Sequence, residues 1–160
     1  MAELGDLPLR IRAFLRVYQW RRIDPVPWSP MRKRLAESNV AVISTAGLVA
    51  LGQPPFDNAR RGGDPTFREI RDNTDVSKLI DTHRSESFDH HGIQVDPNLG
   101  LPLDRLHELR NEKVIGTANR RHFSFMGSIT APGRLIAESA PEVARKLVED
   151  GVDVALLVPV

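Results

Sequence analysis

The sequence predicts an α/β fold with an open, mostly parallel sheet, flanking helices and an incomplete C-terminal edge. Residues 148–160, VEDGVDVALLVPV, end in a nearly continuous apolar run, which is typical of a strand covered on both faces of a parallel sheet. A helical pattern that stops at Gly151 precedes this strand, and another strand, rich in Val and Ile, begins near Asn39. A parallel strand of this kind normally feeds a further crossover helix. We therefore expect the natural protein to be longer or another chain to cover this edge.

Length and composition restrict the class of protein. The 160 residues fit one domain, and a content of 41% hydrophobic and 27% charged residues is ordinary for a globular protein. The formal net charge of +1 gives no reason to expect a nucleic-acid partner, and a chain without cysteine has no disulfide or thiolate metal site. The sequence shows neither a secretory signal nor an apolar stretch that could span a bilayer, so we expect a cytoplasmic protein without a membrane partner.

Residues 1–27 are predicted to form an amphipathic helix and a proline-rich connector that precede the main domain at 28–160. The helix should cover residues 7–22, with Asp6 as its cap. The segment IDPVPWSP then predicts an extended connector, and Ser29 and Pro30 predict the start of a short helix through Glu37. The apolar face of the first helix is expected to consist of Ile11, Phe14, Leu15 and Tyr18.

The main domain should begin with a strand in NVAVISTAGLVALG, residues 39–52. Residues 53–100 form a polar insert with little hydrophobic periodicity, and we interpret this insert as a functional loop because histidines and carboxylates concentrate in it. A helix should follow on the spacing of Leu103, Leu106 and Leu109. A strand or turn near Phe123 should precede a helix over residues 134–150, with a break at Pro141.

The histidine-bearing part of the insert is the first candidate site. Histidine and carboxylate side chains can bind zinc or iron, so a metal-assisted hydrolase that uses His83, Asp89 and His90 is one alternative. The HExxH pattern is missing, and His90 and His91 would point apart on a strand. Polar loop residues bonded to the backbone are the favoured interpretation, and no metal is expected.

Two further segments can bind anions. Ser44 and Thr45 follow the first strand and could present hydroxyls and backbone amides to a carboxylate or phosphate, although a plain turn is the favoured explanation. Arg120 and His122 precede an aromatic pair, and a guanidinium suits planar recognition of a carboxylate. A surface arginine beside core phenylalanines is an equally good interpretation. No serine lies in a GxSxG motif, so no nucleophilic triad is predicted.

Several stretches together resemble the selenoprotein B family of glycine, sarcosine, betaine and D-proline reductases. They occur in the family's order from about Trp28 to Val160, and the N-terminal helix lies outside the resemblance. The stretches are SPMRKRLAESNVAVISTAGL, QPPFD, GDPTFREI, a THxxxxxFDH segment, DPNLGLPLDRL, VIGTANRRHFSFMG and APEVARKLVEDGVDVALLVPV.

The resemblance implies reductive cleavage of a carbon–nitrogen bond in glycine, sarcosine, betaine or a D-proline-like amine. It implies that a selenocysteine or cysteine follows Val160 directly, and that this chain is the inactive portion before a UGA codon. No cofactor is expected within the chain itself. The expected partners are a subunit that carries a pyruvoyl group and thioredoxin-like or selenoprotein A type carriers, which return electrons from dithiols or take up the product.

Motif matching with the family suggests only supporting roles for residues of this chain. They would lie around the substrate or the selenolate. A third interpretation remains, in which the chain is a non-catalytic module whose terminal strand docks on a partner sheet. The residues matched are Ser44, Thr45, His83, Asp89, His90, Arg120 and His122.

Overall fold

The computed structural model describes residues 8–18, 22–86 and 88–160, and the chain divides into two compact units, 1–30 and 31–160. The smaller unit contains helix α1 (Leu9–Val17), which is shorter than the predicted helix because Tyr18 already has an extended backbone. None of the residues of α1 is buried. The proposed cap, Asp6, and residues 19–21 lie outside the described residues. Among the described helices, none combines the length and the apolar character that crossing a membrane requires.

The described residues of the larger unit form two sheets and three α-helices. Two strands of two residues each form a small sheet, which is separate from the five-stranded main sheet. In chain order the elements are β1 (Asn39–Ser44), β2 (Leu48–Val49), β3 (Phe67–Arg71), β4 (Ile80–Asp81), α2 (His90–Val95), α3 (Leu103–Asn111), β5 (Thr117–Ala118), β6 (Arg121–Phe125), α4 (Ala140–Glu149) and β7 (Val154–Val158). Short 3₁₀ turns cover Leu35–Glu37, Val76–Lys78 and Pro97–Leu99, and a π-helical turn, Leu135–Ser139, leads into α4.

Strand β1 is the centre of the main sheet. On one edge β1 pairs in parallel with β5 at Asn39 and with β6 at Ile43, and on the other it pairs in parallel with β7 from Val40 to Ser44. Strand β3 pairs antiparallel with β6. The small sheet joins β2 and β4 in an antiparallel pair. The structure therefore confirms the predicted α/β class, with an open and mostly parallel sheet.

The two faces of the sheet carry separate cores. Val40 and Val42 of β1 belong to a cluster with Ile93 of α2 and Leu106 of α3. Ile43 points to the opposite face, because side chains alternate along a strand. There it packs on a second cluster that contains Phe123, Phe125 and Val143 of α4. Helices thus flank the sheet on both faces, as predicted.

Strand β7 differs from its prediction in burial. It forms as a parallel strand, but Leu156 is 43% exposed and Leu157 is 65% exposed. In the described part of the chain its one strand neighbour is β1. Helix α4 packs over β1 and β6 and leaves most of β7 uncovered. The expectation that this strand is covered on both faces is wrong for this chain, and the expected incomplete edge of the sheet is where β7 lies.

Other differences concern local structure. The predicted helix from Ser29 through Glu37 contracts to one 3₁₀ turn, Leu35–Glu37. The polar insert is more regular than predicted, since it contains β3, β4 and α2. His90 and His91 lie in the first turn of α2 and not on a strand. The helix over residues 134–150 is confirmed, with a π-helical turn ahead of Pro141 and a stop at Gly151, whose φ is 66°.

Candidate functional site

The candidate site lies at the carboxyl ends of β1, β6 and β7. Because these strands are parallel, the residues that follow them meet at one edge of the sheet, where α/β proteins place their ligands. A cavity of about 340 Å³ opens at this edge. Its lining residues are His83, Ser85, Phe88, Asp89, Ile93, Leu99, Ser128 and Val160.

Thr45 fixes the last residue of the chain at this cavity. Its Oγ1 donates to the Val160 carbonyl oxygen at 3.1 Å and accepts from the Val160 amide at 3.0 Å. The Thr45 amide continues the β1–β7 ladder by donating to the Val158 carbonyl at 3.1 Å. The predicted residue Thr45 is therefore at the site, where its hydroxyl binds main chain. Its neighbour Ser44 is fully buried and accepts a hydrogen bond from the Ala46 amide at 3.0 Å, which closes a local turn.

Gly127, the second residue after β6, is closely surrounded on the floor of the site. A Cβ at this position would lie 2.9 Å from His83 Nε2 and 3.2 Å from the carbonyl oxygens of Thr45 and Val160. Only a residue without a side chain allows these groups to approach one another. The following Ser128 has a φ of 56°, a left-handed conformation that is uncommon outside glycine and is found often at functional sites.

His83 is the most unusual side chain of the cavity. It is only 7% exposed, and its ring stacks on Phe88 with centroids 4.3 Å apart. Its Nδ1 accepts from the Ser85 amide at 3.2 Å, whereas its Nε2 is buried without a hydrogen-bond partner among the described residues. Burial lowers the pKa of His83 below its ordinary value, so the ring is neutral near pH 7. A neutral ring that accepts at Nδ1 carries its hydrogen on Nε2.

His90 and Asp89 have local partners. His90 Nδ1 lies 2.5 Å from an Asp81 carboxylate oxygen, and His90 Nε2 lies 3.0 Å from the Ser85 carbonyl oxygen. The hydrogen bond with Asp81 raises the pKa of His90 above its ordinary value. Asp89 is exposed and caps α2 by accepting from the Gly92 amide at 2.9 Å. Both residues therefore help to hold the segment that carries His83.

This arrangement does not favour the alternative of a metal-assisted hydrolase. His90 uses both ring nitrogens within the protein, and Asp89 serves as a helix cap. Within residues 8–18, 22–86 and 88–160, no three or more histidine, cysteine, aspartate or glutamate side chains are grouped as metal ligands would be.

Arg120 and His122 lie away from the carboxyl-end cavity, although they were predicted beside the same substrate. Arg120 precedes β6 and so lies at the opposite end of the sheet, where its Nε donates to Asp150 Oδ1 at 3.0 Å. Arg121 Nε donates to Asp150 Oδ2 at 2.6 Å, and the Asp150 side chain is fully buried. Burial raises the pKa of Asp150, but the hydrogen bonds donated by Arg120, Asn119 and Arg121 outweigh it and lower the pKa to about 2.

His122 is part of the sheet. It is fully buried, and its Nδ1 accepts from the Val42 amide of β1 at 3.0 Å. The gap between β5 and β6 leaves this amide without a carbonyl partner on the neighbouring strand, and the imidazole replaces that carbonyl. His122 Nε2 lies 3.3 Å from an Asp72 oxygen, which also lies 2.7 Å from His107 Nε2. Burial lowers the pKa of His122, consistent with a neutral structural role.

Some site residues were not predicted from the sequence. Phe88, Gly127 and Ser128 line or crowd the cavity, yet their residue types alone carry no chemical signal. The pairing of Asp81 with His90 depends on the chain path through β4 and α2. Beside the cavity lies an apolar one of about 430 Å³ under α4, whose walls include Ile43, Phe125, Leu147 and Leu157.

Comparison with known protein families gives one match. The sequence model of a family described as glycine/sarcosine/betaine reductase selenoprotein B matches residues 9–159. This match begins within the N-terminal helix, so the resemblance extends further towards the N-terminus than the sequence motifs indicated. No solved structure gives a significant match.

Several curated proteins are similar to this chain. The D-proline reductase subunit gamma of Acetoanaerobium sticklandii is 32% identical over 136 residues, which cover 84% of this chain and 54% of the relative. The sarcosine reductase complex component B subunit beta of Peptoclostridium acidaminophilum is 31% identical, over 84% of this chain and 30% of the relative. A glycine reductase complex component B subunit gamma from Symbiobacterium thermophilum is 27% identical, over 88% and 32% respectively. The chain thus spans about half of the first relative and about a third of the others.

Proposed function

This chain belongs to the glycine/sarcosine/betaine reductase selenoprotein B family, and we propose that it forms part of a reductase that cleaves the carbon–nitrogen bond of a small amino acid or its N-methylated derivative. In this proposal, glycine, sarcosine, betaine and D-proline-like amines are the candidate substrates. The two electrons come from the oxidation of a dithiol to a disulfide. A selenocysteine or cysteine directly after Val160 supplies the nucleophile.

One observation carries the proposal beyond family membership. Val160 lines the cavity at the carboxyl ends of three parallel strands and is held there by Thr45, which supports a position in the same cavity for a residue that follows it. A selenolate or thiolate is an anion, and His83 offers it a buried nitrogen donor that has no partner among the described residues. The residues present therefore fit such a group.

The remaining residues of the cavity would prepare it for this chemistry. Phe88, Ile93 and Leu99 give it an apolar wall, which limits water and strengthens electrostatic interactions inside. The hydrogen bonds between Thr45 and Val160 would orient the residue that follows. Asp89 also lines the cavity, and its carboxylate could pair with the ammonium group of a substrate.

Partner proteins are part of the same proposal. The relatives are named as subunits of reductases or of multicomponent reductase complexes, which supports partner subunits for this chain as well. A subunit with a pyruvoyl group would bind the amine, and a thioredoxin-like or selenoprotein A type protein would carry electrons or product. We place the complex in the cytoplasm.

Sequencing the gene through and beyond the codon for Val160 is the first test. We expect a UGA or cysteine codon directly after it, followed by an open reading frame. An ordinary terminator without a coding frame beyond it would contradict the reductase function for this chain.

The second test measures activity. The full-length gene product, combined with its partner subunit and a dithiol, should convert at least one of the four candidate substrates, as followed by mass spectrometry of the products. The matched control replaces the residue after Val160 with serine, which removes the nucleophile and should abolish conversion. Equal conversion by the serine variant would contradict the proposal.

A further inference from the structure

His83 has a buried donor that the chain itself does not use. Its Nε2 has no hydrogen-bond partner among the described residues, and the side chain is only 7% exposed. Leaving such a group unpaired is costly, and in native proteins each instance calls for a reason. His90, a few residues along the chain, has a partner at both ring nitrogens. The contrast indicates that the donor of His83 serves a group outside the described chain.

The chemical character of that group follows from the tautomer. The Ser85 amide donates to His83 Nδ1 at 3.2 Å, so the hydrogen of the neutral ring is on Nε2. The missing partner must therefore be an acceptor. An anion forms the strongest bond with such a donor.

The position of the acceptor follows from Gly127. His83 Nε2 and the Val160 carbonyl oxygen lie 2.9 Å and 3.2 Å from the point where a Cβ on Gly127 would be, so both atoms border the same small space. Thr45 bonds both the amide and the carbonyl of Val160 and thereby fixes the direction in which the chain continues. These contacts support a position near the imidazole for the side chain of the residue after Val160.

We propose that His83 is a positioning residue, which donates its Nε2–H to the sulfur or selenium anion of the residue directly after Val160 and holds that anion in the cavity. This inference rests on the proposed function, because it requires a redox residue at that position. No proton is transferred in the step: the neutral imidazole keeps its hydrogen and stabilises the anion by a charge-assisted hydrogen bond. The anion is therefore favoured over its protonated form.

The test measures the ionisation of a cysteine encoded directly after Val160 in the full-length protein. The rate of its alkylation by iodoacetamide is followed against pH by mass spectrometry, because only the thiolate reacts. In H83F, which keeps an aromatic ring on Phe88 but has no donor, alkylation at pH 7 should be about tenfold slower, as expected for the loss of one charged hydrogen bond. H83Q keeps a nitrogen donor at similar reach and should restore much of the rate.

The matched control is H91F, since His91 is exposed and does not line the cavity. It should leave the alkylation profile unchanged. A folded H83F protein that alkylates like the parent would overturn the inference, and so would an equal loss in H91F. If H83F does not fold, NMR of the unmodified protein decides instead: alkylation should shift the Nε2–H resonance of His83, and an unchanged resonance would overturn the inference.

The outcomes separate the inference from the function on which it depends. A reductase that cleaves its substrate while its redox residue ionises independently of His83 contradicts the inference alone. A gene without cysteine or selenocysteine after Val160 contradicts both.

Discussion

The two ends of the main sheet use charge in opposite ways. At the amino ends of the strands, the buried carboxylate of Asp150 accepts hydrogen bonds from Arg120, Arg121 and Asn119. At the carboxyl ends, the buried imidazole of His83 has a donor without a partner in the described chain. Both groups have shifted pKa values, but Asp150 is stabilised by its neighbours whereas burial alone dominates at His83.

This difference distinguishes buried polar groups that stabilise the fold from buried polar groups that are available to a ligand. A buried polar group that is fully bonded stabilises the fold, and a buried group left unpaired costs stability unless a ligand binds it. A shifted pKa by itself would rank both ends as functional sites, since ion-pair networks shift pKa values as well. The hydrogen bonding of each group distinguishes the two ends, because Asp150 is bonded within the protein and His83 Nε2 is not bonded within the described chain. Substitutions at both ends should therefore change stability, with the largest loss at the amino ends and smaller losses around the cavity.

The largest expected effect is at the amino ends. Replacing Asp150 with Asn removes a buried charge that two arginines share, and should lower the free energy of unfolding by about 3 kcal/mol. Urea unfolding at pH 7 measures this loss. Glu108→Gln is the control, because Glu108 is half exposed and pairs with Arg105 on the surface of α3, so its loss should be small. Similar losses of unfolding free energy in both variants would show that the buried charge of Asp150 contributes no more to stability than a surface ion pair.

The same comparison has a pH signature. The pKa of Asp150 is lowered from 3.8 to about 2 by folding, so its stabilisation is present above about pH 4 and disappears as the pH falls through 2. Thermal melts between pH 5 and pH 2 should show this loss in the parent. The Asp150→Asn protein should have a shallower dependence over that range, since it has no carboxylate to protonate there.

The next effect is at the floor of the cavity. In Gly127→Ala the new methyl group would lie 2.9 Å from His83 Nε2, so the surrounding groups must move, and we expect a loss of about 2 kcal/mol. Gly133→Ala is a matched control in the same loop, since a Cβ there has no neighbour within 4 Å. Thermal melts compare the two. A Gly127→Ala protein as stable as the control would mean that the cavity floor is loose, and that His83 and Val160 are not held together.

The smallest effect concerns the attachment of the terminal strand. Thr45→Val removes the hydroxyl that bonds both polar groups of Val160, and should cost about 1 kcal/mol. Hydrogen exchange at the Val160 amide should become faster. Thr45→Ser keeps the hydroxyl and should retain protection. Fast exchange in the parent protein would show that Val160 is not fixed at the cavity.

Hydrophobic periodicity predicted the elements with the largest apolar faces. These are β1, α3, α4 and β7, each of which contributes to a core cluster or lies next to one. Strand β3 was not predicted, because only Phe67 and Ile70 are apolar in this edge strand and its pairing with β6 bridges some fifty residues of sequence. The prediction that β7 is buried on both faces was wrong, because local sequence cannot reveal on which side of β1 a strand pairs.

The site residues stay a prediction, but the structure shows which of them lie together. His83 and Asp89 line one cavity, and Thr45 bonds Val160, which also lines it. Arg120 and His122 were assigned to the same site because they are basic and adjacent to aromatic residues. Their true positions depend on where β6 begins, and a strand that starts at Arg121 puts them at the other end or inside the sheet. The redox role of the cavity remains a prediction.

His122 has a consequence for how relatives of this chain should be compared. Its imidazole takes the place of a peptide carbonyl between two strands, so a change at this position damages the sheet itself. A histidine retained here through evolution, beside an aspartate, would look like a catalytic dyad in an alignment. The selective pressure would nevertheless come from the main chain of Val42, and an invariant His122–Asp72 pair would record the architecture of the sheet and not its chemistry.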